Sequence, residues 1–258
     1  MEELTKQIMA NRDFLKCPNL SAPQPFESDQ RKGLPQPPLD KPATGELVQL
    51  PCFAEALVHP AYTDLLDLRR SERVYLDAPV TQEQLAFMLW STQGVQGFRG
   101  DTRYASLRPV PSGGARHPFE TYIAVRNVAG LKPGLYHYLP FAHEGEKKVT
   151  IQYLGAIADY DETMAVMLAG QKWGVNASFV LFYTCVAYRA EWRYSSAAHR
   201  VVLIDLGHVG QNVMLSATAL GLGSCCLAAY DSKLCDEVLG VDGVEEFTVY
   251  VIPVGVIK

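Results

Sequence analysis

Three arginines fall within five residues, at Arg69-Arg70-Ser71-Glu72-Arg73. Guanidinium groups are planar, permanently charged and forked, which suits them to a phosphate or a carboxylate. Ser71 places a hydroxyl between them. The chain as a whole is acidic, with formal charge -5, so composition alone does not account for this cationic knot. The plainer alternative is a solvated cluster paired with Asp64, Asp67 and Glu72. A second candidate is Pro111-Ser112-Gly113-Gly114-Ala115-Arg116-His117-Pro118. Two adjacent glycines between prolines let backbone come close to something flat or charged. The alternative there is a tight turn between a loop and a strand.

Other chemistries lack their residues. The run Val201 to Gly210 looks like an apolar strand feeding a glycine turn. Its spacing is not G-x-G-x-x-G, however, and the apolar run continues without a second strand, which argues against a dinucleotide fold. The histidines form no H-x-x-x-H pair and the cysteines offer no matching spacing, so no zinc site is expected. No G-x-S-x-G nucleophile elbow occurs. The acidic balance argues against nucleic acid, which requires a broad basic face. The six cysteines include no C-x-x-C pair and several lie in apolar runs. They read as reduced core thiols of a cytoplasmic protein. Cys225-Cys226 reads as two small apolar packers rather than a strained vicinal disulfide.

The elements that must position these groups follow from pattern. The chain has 258 residues, 48% of them hydrophobic, enough for one large domain or two small ones. Residues 1–51 are punctuated by prolines with few apolar residues between them. They read as an extended arm, either disordered or laid along a surface, with a partner subunit favoured. The folded body is expected over 52–258. Phe53 to Val58 and Ala61 to Leu68 read as short helices. Thr81 with Gln84 makes a capping box, and Leu85, Met88, Leu89 and Thr92 recur at helical spacing. Gly94 stops that helix, and a loop is expected from Gln93 to Pro111. Phe119–Arg126, Leu135–Leu139, Lys148–Leu154 and Phe247–Val254 read as strands. Phe179–Val186 is a continuous apolar run, as a central strand covered on both faces would be. Asp159–Ala169 and a segment capped by Asp231 read as helices. Ala198–Leu220 is a long helix, apolar nearly all round, and so expected in the core and at a subunit interface. It carries Asp205, His208, Gln211 and Asn212, so no membrane span is expected. The start of the chain has no basic-then-apolar signal pattern. Strands and helices mix without strict βα alternation, giving an α+β class.

Eight pieces in order resemble the nitroreductase superfamily of FMN proteins, and within it the SagB/ThcOx-type dehydrogenase group. They are the arginine knot; Leu89-Trp90 with Gln93-Gly94; the 111–118 turn; Gly134-Leu135-Tyr136-His137-Tyr138; Trp192-Arg193-Tyr194; Gly207-His208 with Gln211-Asn212; Ala219 to Gly223; and Pro253-Val254-Gly255. The resemblance covers about residues 60–257. It implies a nitroreductase-like α+β fold, with a mixed central sheet flanked by helices and a long buried helix at a homodimer interface. It implies that Arg69, Arg70, Ser71 and Arg73 hold the FMN phosphate and ribityl chain. Pro111, Ser112, Gly113 and Gly114 would line the isoalloxazine from the opposite subunit. Leu227, Ala228 and Ala229 would set backbone amides near flavin N5 and the pyrimidine edge.

Members of the superfamily pass hydride through N5 between transient NAD(P)H and a small electrophile of the nitroaromatic or quinone type. The SagB-type branch instead oxidises thiazoline or oxazoline rings in peptides. Its members resemble Trp192-Arg193-Tyr194 but usually carry lysine at the middle position. Arg193 cannot shed a proton near neutral pH, whereas Tyr194 still can give or take one. Asp205 stands where the relatives usually have glutamate. The expected activity is therefore an FMN-dependent oxidoreductase using NAD(P)H, with Arg193 and Tyr194 as the catalytic candidates. The alternatives are an azoline dehydrogenase acting on a modified peptide and a flavin-binding or sensing protein without turnover.

Overall fold

The computed structural model describes residue 6 and residues 27–53, 56, 58, 61–100 and 103–258. The expected helix over Phe53–Val58 lies partly outside these residues. In chain order the elements begin with β1 (Glu46–Leu50), α1 (Tyr62–Leu68), α2 (Gln82–Gln93), β2 (Gly97–Arg99) and β3 (Ala105–Leu107). Next come β4 (Phe119–Val125), β5 (Gly134–Tyr138), β6 (Val149–Gly155), α3 (Tyr160–Met167) and α4 (Lys172–Val175). The rest are β7 (Phe179–Val186), α5 (Tyr188–Tyr194), α6 (Ala198–Ala219), β8 (Leu222–Ser224), α7 (Ser232–Leu239) and β9 (Glu246–Val256).

Seven strands form one sheet in the order β1-β6-β5-β4-β7-β9-β8. Its ladders are antiparallel. The parallel component comes from two isolated bridges, Ser71 to Ser224 and Val80 to Val128. β7 runs between β4 and β9, and Phe179 to Tyr183 are wholly buried. Phe179, Leu181 and Tyr183 point into a core closed by α2 and α6. Val180 and Phe182 point into a second core closed by α3 and α7. Both faces are covered, so no polar residue interrupts the strand before Thr184. The helix α2 begins as its sequence demands: Gln84 N–H donates to Thr81 Oγ1 at 3.2 Å, and Thr81 N–H donates to Gln84 Oε1 at 2.9 Å. Among the described residues no helix is long and apolar enough to cross a membrane, and no cluster of His, Cys, Asp and Glu has the arrangement of a metal site.

Three short pieces depart from expectation. The Gln93–Pro111 loop contains the β2–β3 hairpin, whose three-residue strands are too short to show a period. Gly221 stops α6 with φ +69°, but Leu222–Ser224 then pairs with β9 as β8. The proline-rich arm is not separate from the body. Its last residues form β1 on the edge of β6, where Leu50 is buried in the core.

The rest of the described arm lies along its own chain. Gln30 N–H donates to Trp192 O at 2.9 Å, and Trp192 Nε1–H donates to Leu34 O at 3.0 Å. Arg189 Nε–H donates to Pro38 O at 3.0 Å, and Thr44 N–H to Gln152 Oε1 at 3.1 Å. These contacts lay the described part of the arm as a strap over α5 of its own chain. The long helix α6 is buried along Val202, Leu206, Val209 and Val213, but Leu203 and Ile204 stand 52% and 47% exposed on its other face. Within one chain, then, a face of α6 stays open.

Candidate active site

The arginine knot leaves the C-terminus of α1, where Arg69 N–H donates to Leu65 O at 3.0 Å. It then joins the sheet edge. Ser71 bridges Ser224, and Glu72 N–H donates to Ser224 O at 3.0 Å. Arg70 turns one Nη1–H to Arg69 O at 2.8 Å, and the Arg73 guanidinium stands 5.7 Å from the Trp173 ring. Among the described residues, none of the three arginines forms an ion pair with a carboxylate. The pairing with Asp64, Asp67 and Glu72 is therefore not formed. Arg70, Ser71 and Arg73 are exposed, and among the described residues no carboxylate pairs with the arginines.

Directly after β8 come Cys225 and Cys226, both free thiols. Burial raises both thiol pKa values despite Arg73 beside Cys225 and the side-chain bond between Cys226 and Tyr250, so neither is a ready thiolate. Leu227 N–H is already committed, donating to Val251 O at 2.8 Å. Ala228 and Ala229 are exposed, and among the described residues their amides donate to nothing. Of the three expected amides, two remain available.

The glycine turn is held from α6. Ser112 Oγ–H donates to Asp205 Oδ2 at 2.6 Å, and Gly113 N–H donates to the same carboxylate at 3.0 and 3.1 Å. Asp205 is 4% exposed. Burial raises its pKa, and these hydrogen bonds work the other way. The turn is strained: Gly114, Ala115 and His117 have φ of 57°, 53° and 43°. His117 is braced by Ser106 O at 3.1 Å, and burial with Arg108 nearby pushes its pKa down to about 2. It is a neutral structural histidine at ordinary pH.

The glycines are required by close packing inside the chain. A β-carbon on Gly113 would lie 2.3 Å from Val201 Cγ1. One on Gly114 would lie 2.5 Å from Arg193 Nε and 2.8 Å from the Tyr194 hydroxyl. The structure therefore brings Ser112, Gly113 and Gly114 together with Arg193 and Tyr194. Arg193 sits on α5, which is pinned from below. Glu120 on β4 accepts from Arg189 Nη2 at 2.5 Å and from His137 Nε2 at 2.8 Å. Burial pushes the Glu120 carboxyl up, but Arg189 and His137 outweigh it and hold it at about 2. Arg193, one turn beyond Arg189, donates to the Tyr104 hydroxyl and to Gln30 Oε1.

Tyr104 and Gln30 are the residues that sequence reasoning missed, while Arg116 lay in the 111–118 turn without a role of its own. Tyr104 and Gln30 stand 89 and 163 positions from Arg193, and no spacing connects them. The two clusters, knot with 228–229 and glycine turn with 193–194, are not joined by any hydrogen bond, ion pair or ring contact among the described residues. They meet different stations of α6. Asp205 holds the glycine turn, whereas Ser224, the partner of Ser71, follows the end of the helix.

An α+β sheet of this order, with an unpaired arginine cluster at its edge and a strained glycine turn on its long helix, defines a nitroreductase-like protein. Residues 66–256 match the Nitroreductase family, and the chain belongs to it. MJ1384 of Methanocaldococcus jannaschii, which bears the nitroreductase name, is 32% identical over 208 residues, covering 81% of this chain and 95% of that protein. The trifolitoxin-processing protein TfxB of Rhizobium leguminosarum bv. trifolii is 32% identical over 138 residues, covering 52% of this chain and 36% of TfxB. A nitroreductase structure from Anabaena variabilis superimposes with TM-score 0.63 at 26% identity, covering 82% of this chain and 42% of that one.

Proposed function

We propose that this protein is an FMN-dependent oxidoreductase working between NAD(P)H and a small electrophilic acceptor of the nitroaromatic or quinone type. The observation that carries this reading is the unpaired set Arg69, Arg70 and Arg73 beside Ser71. A dianionic phosphate supplies the counter-charge that the cluster lacks. The exposed amides of Ala228 and Ala229, a few residues past the Ser71–Ser224 bridge, offer donors to the flavin ring edge. When bound, FMN supplies the hydride relay at N5. The chain's own part is to hold the phosphate, offer amides to the ring and keep a fixed cation, Arg193, beside the glycine turn. The site is completed in a homodimer, since the glycine turn and the knot lie apart on α6. The open face of α6, with Leu203 and Ile204, and the exposed Leu66 and Leu68 of α1 offer the apolar surface for it. A reduced-thiol, cytoplasmic setting fits the free cysteines. The test is direct. Purified protein should carry or take up one FMN per chain, and anaerobic NADH or NADPH should bleach its absorption band. A protein that stays colourless with FMN supplied is not this enzyme, and one that binds FMN but never bleaches is a flavin binder without turnover.

A second reading is a SagB-type azoline dehydrogenase acting on a modified peptide. The likeness to TfxB supports it. Arg193 stands against it, because arginine cannot act as a base where lysine can. Azoline oxidation by the native protein would favour this reading, and its appearance only in Arg193→Lys would favour the first.

A further inference from the structure

Two guanidinium groups converge on Gly114 without a counter-ion among the described residues. Arg116 is 2% exposed, donates through Nε to Gly114 O at 3.0 Å and through Nη2 to Tyr104 O. Its guanidinium stands 4.8 Å from the Tyr104 ring and 5.2 Å from the Trp192 ring. Arg193 stands 5.7 Å from the same Tyr104 ring and 5.6 Å from Tyr194, with Nε against Gly114. Every partner of these two cations is a carbonyl, a hydroxyl, an amide oxygen or a ring face. Among the described residues neither forms an ion pair.

Among the described residues, three carboxylates of the neighbouring elements are engaged elsewhere. Asp205 is taken by Ser112 and Gly113, Glu144 by Arg103, and Glu191 by His199. Burying a cation is unfavourable unless an anion accompanies it, and two cations sharing one aromatic ring repel each other. Burial lowers the Arg116 pKa, as an uncompensated cation requires. Tyr104 and Gln30 take Nη1 of Arg193, Nε lies against Gly114, and Nη2 is left without a partner among the described residues. A guanidinium held in this way offers its free Nη2–H donors to an anion.

We infer that Arg193, backed by Arg116 and fixed by Tyr104 and Gln30, is an anion-recognition site for a carboxylate carried by the acceptor substrate. The inference rests on the oxidoreductase reading for the word acceptor, but binding of the anion does not require turnover. It makes the substrate class narrower: an electrophilic aromatic or quinoid molecule bearing a carboxylate. Arg193 is then a specificity-determining residue, and Tyr104 and Gln30 are positioning residues.

The test uses the full-length protein and two small probes, benzoate and benzamide, at neutral pH and low salt. Titration calorimetry should show benzoate bound at least tenfold more tightly than benzamide, the difference expected of a charge-assisted hydrogen bond. Arg193→Gln should bring the two within about twofold while leaving benzamide unchanged, and Arg193→Lys should restore part of the preference. A thermal melt like that of the native protein shows that the variants fold. With FMN-loaded protein, 4-nitrobenzoate should have a lower KM than 4-nitrobenzamide, again only when Arg193 is present. A benzoate preference without turnover of either nitro compound would sustain this site and remove the oxidoreductase reading. Equal binding of the two probes, or a preference untouched by Arg193→Gln, overturns the site. So does a change in flavin reduction potential on Arg193→Gln with no benzoate preference, because the anion met by Arg193 would then be the flavin itself.

Discussion

Gly114 and Arg193 are in van der Waals contact so close that a single methyl group cannot fit between them: a β-carbon on Gly114 would sit 2.5 Å from Arg193 Nε. Gly114 also has φ +57°, where a side chain adds strain of its own. Gly114→Ala should therefore displace Arg193 and destabilise the protein by about 1–3 kcal/mol. Urea unfolding measures the loss. Loss of the benzoate preference in the same variant would show that Arg193 had moved.

Asp205 anchors the turn that Gly114 belongs to. Asp205→Ala leaves the half-buried Ser112 Oγ–H and Gly113 N–H without their acceptor. The expected destabilisation is about 2–3 kcal/mol. Hydrogen exchange of the 112–117 amides should accelerate, while that of β7 amides follows only the global change.

Arg70 is exposed, and its one side-chain hydrogen bond goes to the carbonyl of its neighbour Arg69. Arg70→Ala should leave the melting temperature of flavin-free protein unchanged. Its affinity for FMN should fall on the order of tenfold to a hundredfold, read by quenching of flavin fluorescence. Riboflavin, which lacks the phosphate, should bind native and variant protein alike.

Glu120 links acid stability to the placement of α5. Its carboxyl is held at about 2 in the folded chain against an ordinary value of 4.5. A depressed carboxyl contributes stability that is complete above the unfolded value and is lost as the pH falls through the folded one. Native protein should therefore weaken between about pH 4.5 and 2, more steeply than Glu120→Gln. At neutral pH that variant leaves Arg189 buried opposite a neutral amide, which should destabilise it by about 3–5 kcal/mol. Denaturant midpoints across the pH range test both statements.

The sequence was most readable where one local rule decides the structure. The uninterrupted apolar run from Phe179, short and rich in aromatic and β-branched residues, pointed to a strand with two covered faces. Thr81 and Gln84 announce a helix start by chemistry between neighbours. The arginine knot stood out as a candidate anion holder, but Asp64, Asp67 and Glu72 in the same stretch left local pairing as an equal alternative until the side chains were placed. β1 was hidden because its strand character depends on the free edge of β6, a hundred residues away. Leu47 points outward and Leu50 inward, and nothing in Glu46–Leu50 says which edge will be open. Tyr104 and Gln30 were hidden for the same reason. Their roles exist only once the hairpin and the strap have been laid over α5. The glycines were noticed, but what requires them is Val201, Arg193 and Tyr194, and no local pattern names those partners.

The family match begins at residue 66, after β1 and after the strap. A chain trimmed to the matched residues would keep the arginine knot, the glycine turn and Arg193. It would lose the strand that covers β6, leaving a row of unpaired amides and carbonyls along Val149–Gly155. An open edge of that kind recruits another copy strand to strand. With β1 in place that edge is paired, so a protein shortened to the matched residues should fail in solubility before it fails in chemistry.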